Sequence, residues 1–398
     1  MKITAVETLR IGEFPNLLWV IVETEEGLRG TGESFFSAPA TDAYIHDTAS
    51  ALLLGQDARD REVLQKRLHP YVGYNGAGAE VRGNSAVDMA LWDLWGRALN
   101  QPVWRLLGGR ARERIRTYNT CAGYQYVRGG VGQMTENWGL DANEGPYEDL
   151  VGFLTDAGAV AESLLSQGIT GMKIWPFDYA AEASHGAAIT PDELAKAVEP
   201  FAKIRAAVGS EMQLRAEMHL LWQPHAMAEI ARALEPYVIY WIEDPMPATA
   251  PGSWADLRRQ VRPKIAGSET MATKAAFRAF MEAGALDVVI MDLGWCGGLT
   301  EAKAIANLAD AFHLPIAPHD CTGPLAWAAC TSLTINAPNA LVQESVRAFY
   351  SGWYTELAQN LPVVEDGHIH LPEGVGMITE LKPEVFDRPD ATVRRTEV

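Results

Sequence analysis

The sequence predicts an α/β fold in which a TIM-type barrel follows an α+β capping domain. Two observations support this prediction. From residue 114 onward, eight short runs rich in Val and Ile alternate with segments of helical length, and eight βα units are typical of a TIM barrel. Residues 1–112 instead combine longer strand patterns with a long amphipathic helix, which indicates a separate unit.

The capping domain, residues 1–112, is predicted to begin with antiparallel strands. ITAVETLRI (3–11) and LLWVIVETEEGLRGTGE (17–33) have strand patterns, and the second contains a Glu-Glu-Gly turn. NSAVDMALWDLWGRALNQPVWRLLGG (84–109) predicts a long amphipathic helix. We expect this helix to be stopped by Pro102 and then by the two glycines that end the segment.

The barrel is predicted to occupy residues 113–345, within the usual size of roughly 200 to over 400 residues. Each predicted strand is short and apolar and precedes a helix or a segment of helical length. In chain order the strands are RIRTYNT (114–120), GMKIW (171–175), MQLRAEM (212–218), VIYWIEDP (238–245), KIAGSE (264–269), DVVIMD (287–292), PIAPH (315–319) and LVQES (341–345).

Two segments depart from this alternation. Residues 125–148 lie between the first two barrel strands and are rich in Gly, Asn and acids, so we expect a loop insertion over the barrel mouth. Residues 346–398 are expected to return to the capping domain, and DGHIHLPEGVGM (366–377) reads as a short strand and turn.

Composition excludes several classes of function. The net charge of −18 argues against partners such as nucleic acid or an anionic membrane surface. No apolar run reaches the length of a membrane span, and the N-terminus lacks the apolar core of a secretory signal. The four cysteines have no CxxC spacing. We therefore expect a cytoplasmic protein with reduced thiols.

Ionisable residues recur at the carboxyl ends of the predicted strands. The spacing along the last six strands is 26, 26, 23, 27 and 25 residues, one βα unit each time, and Lys173 extends the series to the second strand. Catalytic groups of barrel enzymes come from these strand ends. The six residues are Glu217, Glu243, Glu269, Asp292, His319 and Glu344.

This series predicts a metal site and a base. Several carboxylates at one barrel mouth repel each other unless a cation lies between them, and oxygen ligands without cysteine favour Mg²⁺, with Mn²⁺ as a substitute. Such a cation would also attract an anionic substrate to an acidic protein. Asp292 and His319 lie on adjacent strands, where a carboxylate can orient an imidazole as a general base.

The stretch RAEMH, residues 215–219, places three polar side chains on one face of a strand. Arg215, Glu217 and His219 alternate with apolar residues, so all three point to the same side. Arg215 lies deepest, and a salt bridge to a neighbouring carboxylate in the barrel is one interpretation of it.

At this point the sequence resembles the enolase superfamily, in its mandelate racemase and muconate-lactonising branch. The motifs are SAVDMALWDLWGRALNQPVWRLLGG at the end of the capping domain, WIEDP on a barrel strand and GHIHLPEGVGM in the tail. The resemblance implies a modified, (β/α)7β-like barrel and removal of the proton α to a carboxylate, giving an enediolate. Members use a Lys or His base with one or two Mg²⁺ ions. A homo-oligomer is also expected from this resemblance.

The resemblance also implies roles for the residues at the strand ends. Glu217, Glu243 and Glu269 would be the Mg²⁺ ligands. Lys173 matches the first lysine of the branch's Lys-x-Lys motif, and Asp292 and His319 match its Asp–His dyad. Glu344 matches the acid that hydrogen-bonds the substrate carboxylate, and we expect it to be protonated.

Two departures from the branch affect the expected reaction. The first metal ligand is more often Asp, whereas Glu217 stands here, and Trp175 replaces the second lysine of Lys-x-Lys. Without that lysine, a two-base racemisation is disfavoured. Some sugar-acid dehydratases of the branch carry a histidine two residues beyond the first ligand, where His219 stands. His219 would act as the acid for a leaving hydroxyl, although a hydrogen bond to Glu217 or a metal contact is the alternative.

The leading prediction is therefore Mg²⁺-dependent dehydration of a monocarboxylic or dicarboxylic sugar acid to a 2-keto-3-deoxy acid. A cycloisomerase, epimerase or racemase of a related acid or lactone is the alternative enzyme, and a non-catalytic, metal-dependent sugar-acid sensor is an alternative of another class. Further candidates for substrate contact are Trp175, Trp295, Tyr124, Arg82 and the Gly-rich loop GYNGAGAEVR (73–82).

Overall fold

The first three strands form an antiparallel meander. The computed structural model describes residues 1–69, 76–141 and 144–398. The strands are β1 (Ile3–Ile11), β2 (Leu17–Thr24) and β3 (Arg29–Phe35). The predicted turn joins β2 to β3, and Gly27 there has a φ of 76°, which glycine adopts without strain.

The helices of the capping domain cover one face of this sheet. They are α1 (Ala38–Tyr44), a π-helical segment (Ile45–Ala49), α2 (Ser50–Leu53), α3 (Arg61–Leu68), α4 (Ala79–Leu99) and α5 (Val103–Leu106). Helix α4 approaches β3 closely because Gly32 has no side chain: a Cβ atom there would collide with the carbonyl oxygen of Ala86. The predicted end of this helix is wrong. It ends at Leu99, since Asn100 has a φ of 52°, and Pro102 instead precedes α5.

Seven parallel strands, linked edge to edge, form the barrel. They are β4 (Ile115–Thr120), β5 (Gly171–Ile174), β6 (Gln213–Glu217), β7 (Trp241–Glu243), β8 (Lys264–Gly267), β9 (Val288–Val289) and β10 (Gln343–Ser345). Each strand pairs with the next as far as β9, and β10 pairs with β4. The predicted barrel with its α+β capping domain is confirmed.

The prediction of a full strand at residues 315–319 is wrong. Of these residues, Ile316 alone forms bridges, to Val289 on one side and Ala340 on the other. Pro315 and Pro318 flank this short segment, and proline has no N–H to donate to a ladder. At this point the barrel wall therefore consists of one residue, Ile316, that bridges to the segments on both sides.

Helices follow the barrel strands in the expected alternation. They are α6 (Asp149–Ser166), α7 (Asp178–Ser184), α8 (Pro191–Val208), α9 (Pro224–Leu234), α10 (Pro251–Gln260), α11 (Thr273–Glu282), α12 (Gly298–Ala311), α13 (Pro324–Asn336), α14 (Arg347–Tyr350) and α15 (Tyr354–Leu357). Short 3₁₀ helices are Thr135–Asn137, Glu235–Tyr237 and Pro383–Asp387. Of the α-helices listed here, α8, α9, α10 and α13 begin at proline, which fits the first helical turn because its missing N–H has no partner to lose there. Within the described residues, every helix is too short or too polar to span a membrane.

The interior of the barrel contains one buried cation among aromatic rings. The guanidinium of Arg215 lies 4.3 Å from the ring centre of Tyr118 and 4.3 Å from that of Trp241. Arg215 is 1% exposed and donates to the carbonyl oxygen of Gln213. The interpretation of Arg215 as a salt-bridge partner is therefore corrected: the rings, rather than a carboxylate, face its charge.

The tail after the barrel contributes strands to the two larger sheets and forms a small two-stranded sheet. The strands of the tail are β11 (Ala358–Gln359), β12 (Val363–Glu365), β13 (His368–His370), β14 (Glu380–Leu381) and β15 (Ala391–Glu397). The small sheet consists of β11 and β14. The hairpin of β12 and β13 pairs with the barrel strand β4, whereas β15 pairs with β1 of the capping domain. The exact domain boundaries, after residues 112 and 345, stay a prediction.

Two buried acids join the capping domain to the barrel. Glu33 of β3 accepts hydrogen bonds from the backbone N–H groups of Leu325 and Ala326 at the start of α13. Asp88 of α4 accepts hydrogen bonds from the backbone N–H and the hydroxyl of Thr300 in α12, at 2.8 and 2.6 Å. These contacts fix the capping domain over the barrel mouth.

Asp88→Asn is expected to change how stability depends on pH. Burial raises the pKa of Asp88 from 3.8 to about 6, although the hydrogen bonds from Thr300 oppose this. The folded protein therefore binds this proton more tightly than the unfolded chain. The resulting stabilisation is full below the unfolded pKa and is lost as the pH rises through about 6. Between pH 4.5 and pH 7.5, the free energy of unfolding should fall by about 2 kcal/mol more in the wild type than in the variant.

Urea unfolding at both pH values measures this difference. Asp192→Asn, at an exposed position in the first turn of α8, is the matched control and should follow the wild type. If the free energies of unfolding of wild type and Asp88→Asn differ by the same amount at both pH values, the raised pKa of Asp88 is contradicted.

Candidate functional site

A cavity with about 370 Å³ of empty space lies at the carboxyl ends of the barrel strands. The capping domain, the insertion after β4 and the strand ends all contribute to it. The lining residues are Phe36, Thr120, Tyr126, Val127, Gln133, Lys173, Trp175, His219, Glu269, Trp295, His319 and Cys321. The residues 125–148, predicted to be a loop over the mouth, supply Tyr126, Val127 and Gln133.

Three carboxylates meet beside this cavity. Glu217 and Glu243 are paired residues at the ends of the adjacent strands β6 and β7, and Glu269 follows β8. One oxygen atom from each lies within 4.8 Å of the others, and all three side chains are buried. The parallel register places Glu217 beside Glu243, whereas Glu243 pairs with Ala266, so Glu269 reaches the other two acids from the loop that follows β8.

Lys173 lies among these acids as a buried cation. Its Nζ atom is 2.5 Å from Glu243, 2.8 Å from Glu344 and 3.2 Å from Glu217. Burial alone would lower the pKa of Lys173, but Glu243 and Glu344 raise it well above its usual range. The lysine is therefore charged at neutral pH. Its single positive charge faces the carboxyl groups of three glutamates.

Glu344, which we expected to be protonated, lies in surroundings that favour its ionised form. It accepts hydrogen bonds from the hydroxyl of Thr120 and from the backbone N–H of Asp320. Burial opposes ionisation, but the adjacent Lys173 and His319 outweigh it and lower the pKa of Glu344. Glu344 is thus an ionised partner that holds Lys173 in place.

The three carboxylates beside the cavity fit a divalent cation. Oε2 of Glu217 is buried and has no hydrogen-bond partner, although Lys173 lies nearby. Burial and the negative charges of Glu217 and Glu344 raise the pKa of Glu243 well above its usual range, even against Lys173. Lys173 therefore does not neutralise the cluster. An oxygen-only donor set of this kind suits a hard cation such as Mg²⁺.

His319 and Asp292 form a buried pair at the ends of neighbouring segments. Nδ1 of His319 lies 2.7 Å from Oδ2 of Asp292, and Nε2 lies 3.2 Å from Glu269. Asp292 also accepts a hydrogen bond from the backbone N–H of Gly294. Burial lowers the pKa of His319, but Glu269, Glu344 and Asp292 outweigh it and raise the pKa well above its usual range. Asp292 therefore orients the ring so that Nε2 is directed toward the metal-binding acids.

His219 has an equivalent partner that the sequence did not reveal. Its Nδ1 atom lies 2.7 Å from Oδ2 of Asp178, which is buried at the start of α7. Burial lowers the pKa of His219, but Asp178 and Glu217 outweigh it and raise the pKa to about 9. Its Nε2 atom contacts the side-chain amide of Gln133, at 2.9 Å. The cavity is thus lined by two histidines, each held by an aspartate through Nδ1.

Of the residues predicted to contact the substrate, two line the cavity and two lie outside its lining. Trp175 and Trp295 line the cavity as predicted. Tyr124 does not: its hydroxyl donates to Glu356, and Tyr126 lies in the lining instead. Arg82 donates to the carbonyl oxygen of Phe35 at 2.6 Å, and its guanidinium lies 4.4 Å from the ring centre of Trp295. Arg82 therefore supports the wall, and residues 73–75 of the predicted capping loop lie outside the described residues.

Comparisons with known proteins find relatives over nearly the whole chain. Residues 5–108 match the family model "Mandelate racemase / muconate lactonizing enzyme, N-terminal domain", and residues 156–385 match "Enolase C-terminal domain-like". A D-galactonate dehydratase from Ralstonia nicotianae is 30% identical over 384 residues, covering 95% of this chain and 91% of the relative.

Solved structures agree with these matches. An enolase of the mandelate racemase subgroup from Agrobacterium tumefaciens, with a succinimide residue, sodium and phosphate, is 44% identical and has a TM-score of 0.89. The match covers 100% of this chain and 99% of that one. An enolase protein from Sargasso Sea environmental sequencing is 40% identical, with a TM-score of 0.88 and coverage of 100% and 99%.

Proposed function

Since this chain belongs to the mandelate racemase/muconate lactonizing enzyme branch of the enolase superfamily, we propose that it is a Mg²⁺-dependent dehydratase of a sugar acid. The product would be a 2-keto-3-deoxy acid. One observation carries this proposal: two aspartate-paired histidines, His319 and His219, line the same cavity. A β-elimination needs a base at the α carbon and an acid at the β hydroxyl, and two such histidines meet both needs. The D-galactonate dehydratase relative supports the same reaction class.

Two residues of the cavity account for removal of the α proton and for protonation of the leaving hydroxyl. His319 takes the proton from the α carbon, and the electron pair of that bond moves toward the carboxylate to give an enediolate. The enediolate collapses as the bond from the β carbon to its hydroxyl breaks, and His219 gives that hydroxyl a proton, so that water leaves. The resulting enol takes a proton from water at the β carbon, loses the proton of its own hydroxyl to water and becomes the 2-keto acid.

The charged residues prepare the site for this sequence. Lys173, held by Glu344, places a positive charge beside the substrate carboxylate, where a second negative charge develops. Glu217, Glu243 and Glu269 would hold Mg²⁺, which when bound supplies further positive charge to those oxygens. Glu269 also stabilises the protonated form of His319. When Glu269 serves as a metal ligand, this stabilisation is reduced and His319 can act as a base.

Trp175 disfavours a racemase or epimerase with two bases on opposite faces of the α carbon. It occupies the position of the second lysine in Lys-x-Lys, and its indole has no acid–base function at neutral pH. A cycloisomerase remains the alternative, since it would share the enediolate. A sensor without turnover has no need of Lys173, His219 and His319 in one buried cavity.

The proposal is tested by incubating the protein with Mg²⁺ and a panel of sugar acids. Semicarbazide detects 2-keto acids, and NMR in D₂O detects exchange of the α proton. A 2-keto product supports dehydration. Exchange or isomerisation without a keto product favours the cycloisomerase, and no signal with any acid favours the sensor.

His219→Asn is expected to separate the two halves of the reaction. Exchange of the α proton should stay within a few-fold of the wild type, because His319 is intact. Formation of the keto acid should fall by roughly 10²–10⁴-fold, the usual contribution of a general acid. His225→Asn, at an exposed position, is the matched control and should retain both activities. If His219→Asn dehydrates at the wild-type rate, then the leaving hydroxyl has another proton donor.

The cytoplasmic location and the homo-oligomer stay predictions. A small carboxylate as the reacting partner follows from the proposed chemistry.

A further inference from the structure

We propose that the substrate carries a single carboxylate and that its distal end is an uncharged polyol, as in an aldonic acid. This inference rests on the proposed function and narrows it, because a dicarboxylic aldaric acid would satisfy the same chemistry. It follows from how the charges are distributed around the cavity.

The basic side chains of the described cavity lining belong to its catalytic end. Among the described lining residues these groups are Lys173, His219 and His319. Each is already paired with buried carboxylates. One substrate carboxylate can be accommodated beside Lys173, but a second would find no free cation there.

A second part of the lining, which we call the distal wall, is aromatic and neutral and adjoins His219 and His319. Its residues come from the capping domain, from the insertion after β4 and from the segments following β5 and β9, and are Phe36, Tyr126, Val127, Gln133, Trp175 and Trp295. The buried indole N–H of Trp175 has no hydrogen-bond partner. The Gln133 amide donates to the Tyr126 hydroxyl at 2.7 Å. Neutral donors and aromatic faces of this kind suit the hydroxyls and C–H groups of a polyol.

The nearest arginines are engaged elsewhere. Arg82 lies outside the cavity lining, where it donates to the carbonyl oxygen of Phe35 and its guanidinium lies 4.4 Å from the ring centre of Trp295. Arg128 pairs with Glu13 at 2.6 Å and lies over the ring of Tyr124. Residues 70–75 and 142–143, outside the described residues, contain no Lys, Arg or His. Among the described lining residues, a second carboxylate would thus find no cationic side chain free of a carboxylate partner, and burial without such a partner is unfavourable.

The test compares acids that differ only at the distal carbon. D-Galactonate is paired with galactarate, and D-gluconate with D-glucarate, with Mg²⁺ present. We expect kcat/KM for the preferred aldonate to exceed that of its matched aldarate by at least 100-fold. Equal or faster turnover of the aldarate would overturn this inference and leave the dehydratase proposal intact. If no acid is dehydrated, the proposed function fails, and calorimetric binding of the same pairs decides the inference: tighter aldonate binding supports it, and equal or tighter aldarate binding overturns it.

Gln133→Lys tests the distal wall directly. A cation at this position should raise the ratio of aldarate to aldonate binding at least 10-fold relative to Gln133→Met, a neutral side chain of similar length. The amide contacts of Gln133 are lost in both variants, so the comparison isolates the charge. Equal ratios in the two variants would overturn the placement of the polyol end beside Gln133.

Discussion

Replacing His319 by Asn is expected to abolish both α-proton exchange and dehydration, with kcat reduced by about 10³-fold or more. Asparagine is close in size but has no nitrogen that accepts a proton. His319 is also held at Nδ1 by Asp292, so its Nε2 atom is the positioned base. Exchange in D₂O, followed by ¹H NMR, measures the first step without requiring that the hydroxyl leave.

This prediction differs from that for His219→Asn, where exchange survives. The control is His313→Asn, since His313 is exposed and lies outside the cavity lining. Near-UV circular dichroism establishes that the His319 variant keeps its tertiary packing. If folded His319→Asn exchanges the α proton at the wild-type rate, then another group is the base, and Lys173 is the next candidate at the site.

Replacing Glu243 by Gln is expected to remove metal binding and activity together. Glu243 is buried between Glu217 and Glu269, and the amide lowers the negative charge of the set by one. We expect the affinity for Mn²⁺, measured by electron paramagnetic resonance, to fall on the order of 10²-fold. Loss of a residue that merely hydrogen-bonds a metal ligand lowers metal affinity about 10- to 100-fold, and loss of a charged ligand itself should lower it at least as much. Turnover at limiting Mg²⁺ should fall at least as far.

Two comparisons make the metal prediction specific. EDTA should stop the wild-type reaction and added Mg²⁺ should restore it. Glu229→Gln, at an exposed site on α9, should bind Mn²⁺ like the wild type. Unchanged Mn²⁺ affinity in folded Glu243→Gln would show that these carboxylates serve only as partners of Lys173.

Periodicity accounts for what could be predicted from the sequence. Acids one βα unit apart fall at the ends of adjacent strands, and the register of β6 with β7 places Glu217 beside Glu243. The spacing also placed Lys173, although the number of its carboxylate partners depends on side-chain geometry. The barrel and the capping domain follow from similar repeats of apolar residues.

Loops and short elements have no such periodicity. Asp178 and Gln133 stand in segments where a polar residue is ordinary, so their contacts with His219 required the structure. Tyr124 and Tyr126 lie in the same loop, and only its conformation decides which of them reaches the cavity. The protonation state of Glu344 depended on the distance to Lys173, which no sequence pattern encodes.

The central claim is that this site removes a proton α to a carboxylate with the help of Mg²⁺ and then expels a β hydroxyl. The most direct measurement is an NMR time course of the wild-type protein with D-galactonate and other aldonates in D₂O. The account predicts Mg²⁺-dependent loss of the α-proton signal and a 2-keto-3-deoxy product with one deuterium at the former β carbon. Absence of both exchange and product across the panel, or the same product in EDTA, would contradict it.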